Sequence, residues 1–468
     1  MTDLDVAVVG AGIAGLAAAH RLQREGRSVQ VFEAAERVGG RMACTRLDGY
    51  LIDEGAETIA ARGYQATWRL IRELGIPAAD ILPIGGAIAV WRGGRAHAHL
   101  GHPRGLLTGA GMSWRGRLDW LRFTAELMSR RREFDADQPE STPLGARTIA
   151  EHSAGYHPDL HDYLLQPFAS HGFGYRPERS TLAPIVASML AVGGVGAQWL
   201  TYTTGMDTLA RELAQRVPVQ LGRAVAAVRT GRGAADGGAA RLILADGSEL
   251  TARQLLLAVP APLALALHQD APSSERDFLA ACSFTPMLKV ACLLDRPLPS
   301  PTRSPSYALS VPARESKVLA GLILDHVKAA SRAPQGRGLV SLFVSPWTSP
   351  ALLDAPDREV AATITAEAER YLPGLSAATL RTVVHRFRHG LPEATPAALR
   401  LRADFARRPV SRIEYAGDWT LLRPSSEGAI RSAELAAHRI CAARRTGPTR
   451  PTPVNRPHPP QESACPAP

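Results

Sequence analysis

Apolar positions in this chain fall into short unbroken runs separated by helical repeats, and that alternation predicts an α/β fold. Leu4 to Val9 is an apolar run suited to a buried parallel strand, followed by an alanine-rich helical pattern to about Arg24 and a second strand from Ser28 to Phe32. Helical periodicity returns at Thr67 to Leu74 and at Arg117 to Arg132, the latter basic and partly apolar. Val217 to Val228 and Ala240 to Leu244 read as strands joined by the turn-rich Gly231 to Gly238, with an Asp246-Gly247 turn beyond them. Gln254 to Val259, ended by Pro260, reads as one more strand, and Phe284 to Leu294 is an apolar strand pattern broken by a single lysine, Lys289. The longest uncharged stretch, roughly 180 to 206, holds Pro184, Gly193, Gly194 and Gly196, which fits a pocket wall better than a lipid span. There is no internal repeat.

Between the first strand and the first helix, Gly10, Gly12 and Gly15 stand in G-x-G-x-x-G spacing. Gly10 permits a tight turn, Gly12 lets a pyrophosphate approach bare backbone, and Gly15 brings helix and strand together. Ile13 and Ala14 open the helix, whose N-terminus offers unpaired N–H groups to phosphates. Glu33 ends the second strand, beside Ala34, where a carboxylate can accept ribose hydroxyls. These residues predict a dinucleotide site.

The continuation Glu36-Arg37-Val38-Gly39-Gly40-Arg41 and the segment Gly49 to Glu57, which includes Gly55-Ala56-Glu57, resemble the flavin amine oxidase superfamily of monoamine oxidases, protoporphyrinogen oxidases and phytoene-type desaturases. The resemblance reappears in Tyr415-Ala416-Gly417-Asp418-Trp419-Thr420 and in Ser426-Glu427-Gly428-Ala429-Ile430-Arg431-Ser432. It implies FAD, held noncovalently because no cysteine stands just before Ala416-Gly417-Asp418. It also implies that Arg37 belongs to the cofactor site, that Gly39, Gly40 and Arg41 close over the pyrophosphate and ribityl chain, that Asp418 lies by the ribityl and phosphate groups, and that Val225 offers its backbone to the adenine. The helix beginning near Glu427 would turn its N-terminus toward the flavin pyrimidine, with Pro424-Ser425-Ser426 supplying the capping chemistry.

The expected fold class is therefore α/β, a Rossmann-like FAD-binding domain (GR2-type) interleaved with an α+β substrate-binding domain. FAD-binding segments are expected at 1–66, 205–260 and 405–446, substrate segments at 67–204 and 261–404, and a disordered proline-rich tail at 447–468. A chain of 468 residues, 45% hydrophobic, suffices for two such cores.

The formal charge of +10 is carried almost wholly by arginine, lysine appearing only at Lys289, Lys317 and Lys328. No arginine-aromatic strip supports nucleic-acid binding, although a basic surface leaves peripheral membrane contact open. Five scattered cysteines without C-x-x-C spacing, and no apolar leader, favour a cytoplasmic setting. His152, His157, His161 and His171 lack a zinc pattern, and no metal is expected.

No second dinucleotide fingerprint appears, so electrons should come from the organic substrate, a C–H bond yielding hydride or its equivalent to the flavin. Lys289 is the catalytic candidate. A lysine inside an apolar strand costs free energy unless paired or solvated, and in many amine oxidases a lysine in a similar setting holds a water beside the flavin. The plainer alternative is a strand lysine that faces solvent.

Gly172-Phe173-Gly174-Tyr175 and His389-Gly390-Leu391-Pro392 look like protoporphyrinogen oxidases and desaturases in layout, and the last motif looks more like carotene or hydroxysqualene-processing enzymes. The substrate expected is a bulky, largely apolar small molecule of specialised or isoprenoid biosynthesis, with O2 or another acceptor reoxidising the flavin. The alternatives are an amine oxidase forming an imine and a noncatalytic carrier on the same scaffold. Oligomeric state is not legible.

Overall fold

A computed structural model describes residues 4–109, 111–194, 197–230 and 239–442. Two seven-stranded sheets organise them. The first is centred on the strand Leu4–Val9, which pairs in parallel with Val29–Phe32 on one side and with Glu249–Leu257 on the other. The short strand Ile413–Tyr415 adds in parallel to the far edge of Glu249–Leu257, opposite residues 255–257, so both ends of the chain meet in one sheet. The inner stretches of the central strands, residues 6–9 and 255–257, are unbroken buried runs of Val, Ala and Leu, as a parallel sheet covered by helices requires. The helices Ile13–Arg24 and Ser426–Ala442 pack against one another on this sheet, their alanines allowing close approach.

The second sheet runs, in spatial order, through Thr379–Pro392, Phe284–Leu294, Gly338–Val344, Leu319–Leu324, Ser306–Ser310, Ala87–Arg92 and Arg95–His97. One of its faces packs on the helix Asp357–Ala368. A helical layer that includes Trp114–Ser129, Gln166–Phe173 and Ala183–Ala191 forms its own core around Trp120, Phe123, Tyr163 and Ile185.

Most expected elements appear within a few residues of their expected ends. The strand expected over Val217 to Val228 is instead two, Val219–Gln220 and Val225–Thr230. Gly222 breaks it: at φ +63° it takes a left-handed turn that an extended run cannot contain. The uncharged stretch 180–206 is the helix Ala183–Ala191 and the strand Trp199–Tyr202, and among the described residues no helix is long and apolar enough to cross a membrane. The Gly231 to Gly238 turn, Gly196 and the 447–468 tail lie outside the described residues.

Candidate active site

A cavity of about 810 Å³ runs from the glycine turn of the first sheet to the apolar wall of the second. At one end it is lined by Gly10, Gly12, Ile13, Ala14, Glu33, Ala34 and Val225; in the middle by Gly39, Gly40, Arg41, Gly55, Ala56 and Glu57; and from the returning motif by Gly417, Asp418 and Ala429. The glycines divide by what a side chain would meet. A Cβ at Gly12 would find nothing within 4 Å, so bare backbone faces the open cavity, whereas one at Gly15 would lie 2.0 Å from the Gly10 carbonyl oxygen and one at Gly428 2.1 Å from that of Arg423. Gly15 and Gly428 thus bring elements into contact and do not line the cavity. The first turn of the helix Ile13–Arg24 carries no acidic residue, which leaves its positive dipole end unopposed.

A bidentate pair shapes the middle of the cavity, and a carboxylate bound to backbone braces its glycine end. Arg41 donates both arms to Asp418, at 2.8 and 2.6 Å, joining residues 377 apart in sequence, and also donates to the Gly390 carbonyl. Both Asp418 oxygens are therefore engaged, so its carboxylate anchors the Gly-Gly-Arg turn and has no oxygen left unpaired. Glu33 accepts from the backbone N–H of Ala11 at 2.7 Å and of Ala35 at 2.9 Å, which holds the glycine turn against the second strand.

Three of the expected cofactor residues are engaged within the protein and lie outside the cavity lining. Arg37 forms a bidentate pair with Glu54, at 2.8 and 2.6 Å, outside the cavity lining. Glu427, buried at the start of the last helix, accepts from the N–H groups of Ala66 and Thr67 and from the Thr67 hydroxyl, so it satisfies the orphan N–H groups of the helix Gln65–Leu74. Ile430 lies in the core between the two alanine-rich helices. The helix start itself is as expected: the Ser425 hydroxyl accepts from the Gly428 N–H at 3.1 Å, and Ser425, Ser426 and Ala429 line the cavity.

Lys289 does not face solvent. It is 2% exposed and donates to the Glu57 carboxylate and the Asp53 carbonyl, one layer behind the cavity wall, with its ammonium 5.2 Å from the Phe343 ring centroid. A second lysine joins it. Lys328 donates to Glu57 and, at 2.9 Å, to Asp53, and lies 3.1 Å from Asp325. Arg332 donates to Asp53 at 2.8 Å. Asp53, Glu57 and Asp325 bring ligand oxygens within 4.8 Å of one another, the spacing of a cation site, and the Lys328 ammonium is the cation among them. Burial works to raise the Asp53 carboxyl, but Lys328, Arg332 and the Met206 N–H together hold it well below the ordinary carboxylate range. Burial raises the Glu57 carboxyl, opposed by the two lysines and reinforced by Asp325 and Asp53. Burial also works against the charge on Lys328, yet its three carboxylates raise it above the usual lysine value.

The far half of the cavity is apolar, walled by Phe168, Phe173, Met287, Ile323 and Phe343. His171, its partner Ser310 and Tyr307 bring polar groups into it. His171 hydrogen-bonds Ser310 through Nδ1 at 2.8 Å, and burial pushes its imidazole down to about 4. Gly321 makes the space, since a Cβ there would come within 2.6 Å of the ring. Tyr307, 6% exposed, is pushed up to about 12 by burial, with Lys328 and Glu57 adding smaller opposed effects. Neither His171 nor Tyr307 was singled out by sequence pattern, His171 appearing only in a histidine group that the structure disperses: His161 bonds Ser153, and His152 packs against Phe123. Lys328 was equally hidden, and lysine scarcity was the one signal that could have found it.

The chain belongs to the flavin-containing amine oxidoreductase family, whose model matches residues 13–441. Members of that family are FAD-dependent oxidoreductases. Among curated proteins, the chain is 42% identical over 79 residues to the mitochondrial protoporphyrinogen oxidase of Nicotiana tabacum, 17% of this chain and 16% of that one. It is 37% identical over 99 residues to the putrescine oxidase of Kocuria rosea, 21% and 20% of the two chains. The aligned segments cover a quarter or less of the curated relatives' own lengths. Among solved structures, putrescine oxidase bound to putrescine superposes with a TM-score of 0.73 at 21% identity, over 94% of this chain and 99% of that one. Cyclohexylamine oxidase from Brevibacterium oxydans IH-35A gives 0.73 at 19%, over 95% and 100%. These likenesses establish the fold. FAD fits the residues present: an open backbone face at Gly12, two helix N-termini on the cavity and a carboxylate at the end of the second strand.

Proposed function

We propose that the protein is an FAD-dependent oxidoreductase that removes hydride, or its equivalent, from a bulky, largely apolar metabolite, its reduced flavin returning electrons to O2 or another acceptor. The cofactor segments are 1–66, 205–260 and 405–446, and the substrate segments are 67–204 and 261–404. Gly10, Gly12, Ile13, Ala14, Glu33, Ala34, Gly39, Gly40, Arg41, Gly417 and Val225 hold FAD, which supplies the hydride acceptor when bound. No cysteine lines the cavity among the described residues, which favours noncovalent attachment.

One observation carries the substrate class. The carboxylates that line the cavity, Glu33, Glu57 and Asp418, are all engaged by partners within the protein. A cationic amine would find no free counter-charge among apolar walls, and burying it unpaired is costly. The aromatic wall orients an apolar body and excludes water, while His171 and Tyr307 offer hydrogen bonds to one polar group on it. The second reading, oxidation of a C–N bond to an imine, rests on Lys289 standing behind Glu57 and requires the amine to bind neutral. Anaerobic bleaching of the bound flavin by pooled cell metabolites, with mass spectrometry of what is consumed, tests the first reading through a loss of two hydrogens. Faster bleaching by a panel of simple primary amines, with peroxide on aeration, would replace it with the second.

A surface accompanies this reading. Along the helix Trp114–Ser129, Trp114, Leu118, Leu121, Ala125 and Met128 are exposed at i, i+4, i+7, i+11 and i+14, one stripe opposite the buried Gly116, Trp120 and Phe123. A soluble helix buries one apolar stripe and exposes a polar one. The exposed Arg115, which lies over the Trp114 ring, flanks the stripe and suits an anionic bilayer surface, while Arg122 is paired with Glu126 at 3.1 Å. The helix's buried face shares a core with Ile185, a residue of the cavity wall, so a docked bilayer would lie one helical layer from the apolar chamber. Co-sedimentation with phosphatidylglycerol vesicles, lost on Leu118→Glu with Leu121→Glu, supports the docking. Equal sedimentation of both proteins, or a dimer abolished by the same changes, would overturn it.

A further inference from the structure

Of the 54 basic residues in this chain only three are lysine, and two of those three are buried side by side against one carboxylate. The third, Lys317, sits beside Trp347, with its ammonium 4.6 Å from the ring centroid. Lys289 and Lys328 are thus two buried exceptions in a chain that uses arginine almost everywhere. An ammonium is a compact point charge, whereas a guanidinium is a planar fork. The space among Asp53, Glu57 and Asp325 is cation-sized and takes the former.

The members of this cluster are unequally placed. Asp53 is saturated: its carboxylate accepts from Met206 N–H, the Cys44 thiol, Lys328 and Arg332. Asp325 accepts from the Ser341 hydroxyl at 2.7 Å and lies behind Lys328. Glu57 alone lines the cavity, 12% of its side chain exposed, at the junction of the glycine cradle and the apolar wall. Its backbone neighbour Ala56 donates to the Arg41 carbonyl at 3.0 Å, and its partner Lys289 sits opposite Phe343 in the second sheet. Three carboxylates face three cations, so the cluster is formally neutral. The charged groups acting on Glu57 are Lys289, Lys328, Asp325 and Asp53; Arg332 acts on Asp53 and Lys328, Tyr307 feels the Glu57 charge, and His385 lies behind Lys289.

We propose that Glu57, gripped by Lys289 and Lys328, is the proton port of the cavity: it takes one proton from bulk solvent, relayed through cavity water that is left neutral, when negative charge forms there, and returns it to solvent when that charge leaves. The proton joins a carboxylate oxygen of Glu57 and both lysines stay ammonium, so the cluster passes from neutral to a single positive charge facing the new negative one. No bond to carbon forms and no electrons move through the cluster. Lys289 and Lys328 are positioning residues that act through Glu57. A purely structural salt bridge would keep its proton count fixed.

The inference rests on the flavin reading but not on any substrate class, so the FAD-loaded full-length protein can test it without substrate. Its reduction potential is measured against redox dyes at several pH values above neutrality, for wild type, Glu57→Gln and Lys328→Met, each checked for flavin content and circular dichroism. In wild type the potential should fall with pH about twice as steeply as in Glu57→Gln, reflecting about two protons taken up per electron pair against one. Lys328→Met, if folded, should move the steep region to higher pH, because Glu57 loses a cation that holds its proton off. A shallow slope in wild type, or the same slope in wild type and Glu57→Gln, overturns the proposal and leaves the flavin reading standing. Protein that binds no FAD overturns that reading as well.

Discussion

The two halves of the cavity are built by different means. The glycine cradle presents backbone: its specificity lies in missing side chains, as at Gly12, and in helix ends aimed inward. The apolar half presents side chains from strands and helices far apart in sequence, with the cations of one neutral cluster behind the wall and Glu57 its member that reaches the cavity. Backbone recognition tolerates no added atom, while side-chain recognition tolerates exchange of shape but not loss of a partner. The contrast can be tested by substitutions of each kind.

The largest effect should come from removing a buried partner. Lys328→Met leaves three carboxylates without their central cation, a change expected to cost about 3–5 kcal/mol, measurable as a lowered denaturant midpoint. A stability change within error would show that the cluster repacks freely. Next come the paired glycines. Gly15→Ala forces a Cβ against the Gly10 carbonyl and should destabilise the flavin-free protein by about 1–3 kcal/mol, whereas Gly12→Ala should leave its unfolding unchanged and weaken FAD binding. Equal unfolding curves for both variants would erase the distinction between cradle and scaffold.

A smaller effect concerns His171. Burial lowers its folded-state value to about 4 from an ordinary 6.5, so folding favours the neutral ring. The stability this contributes is present above the unfolded value and is lost as pH falls toward the folded one. His385, also lowered to about 4, works in the same direction. Chemical unfolding between these limits should therefore be less steeply acid-dependent in His171→Phe than in wild type, and parallel curves would remove His171 from the account. The smallest stability effect belongs to the exposed helix stripe: Leu118→Glu with Leu121→Glu should change the unfolding free energy by less than about 0.5 kcal/mol per substitution while vesicle binding falls.

The cradle was legible because backbone geometry demands particular residues at fixed spacing. Gly10, Gly12 and Gly15 could be assigned to a turn, an approach and a packing contact before any coordinate was known. Lys289 was legible as an anomaly, a charge in an apolar strand, but its remedy was not. Glu57 was expected from the third motif, and Lys328 sits in the unremarkable run Asp325-His326-Val327-Lys328. Their meeting depends on how the helix Asp325–Lys328 docks across the second sheet, which no local period encodes. Arg37 and Glu427 are expected at the cofactor from motif position, and the structure adds a protein partner for each, Glu54 and the start of the helix Gln65–Leu74. A carboxylate inside a protein goes to the donors that tertiary packing brings, and sequence spacing alone does not reveal them.

The pair between Arg41 and Asp418 also constrains the order of biosynthesis. Arg41 is translated 377 residues before its clamp Asp418, so a nascent chain on the ribosome holds an open groove until the segment around Asp418 has emerged. Contacts of such long sequence separation form late, and flavin capture should be a closing event of maturation in the cell.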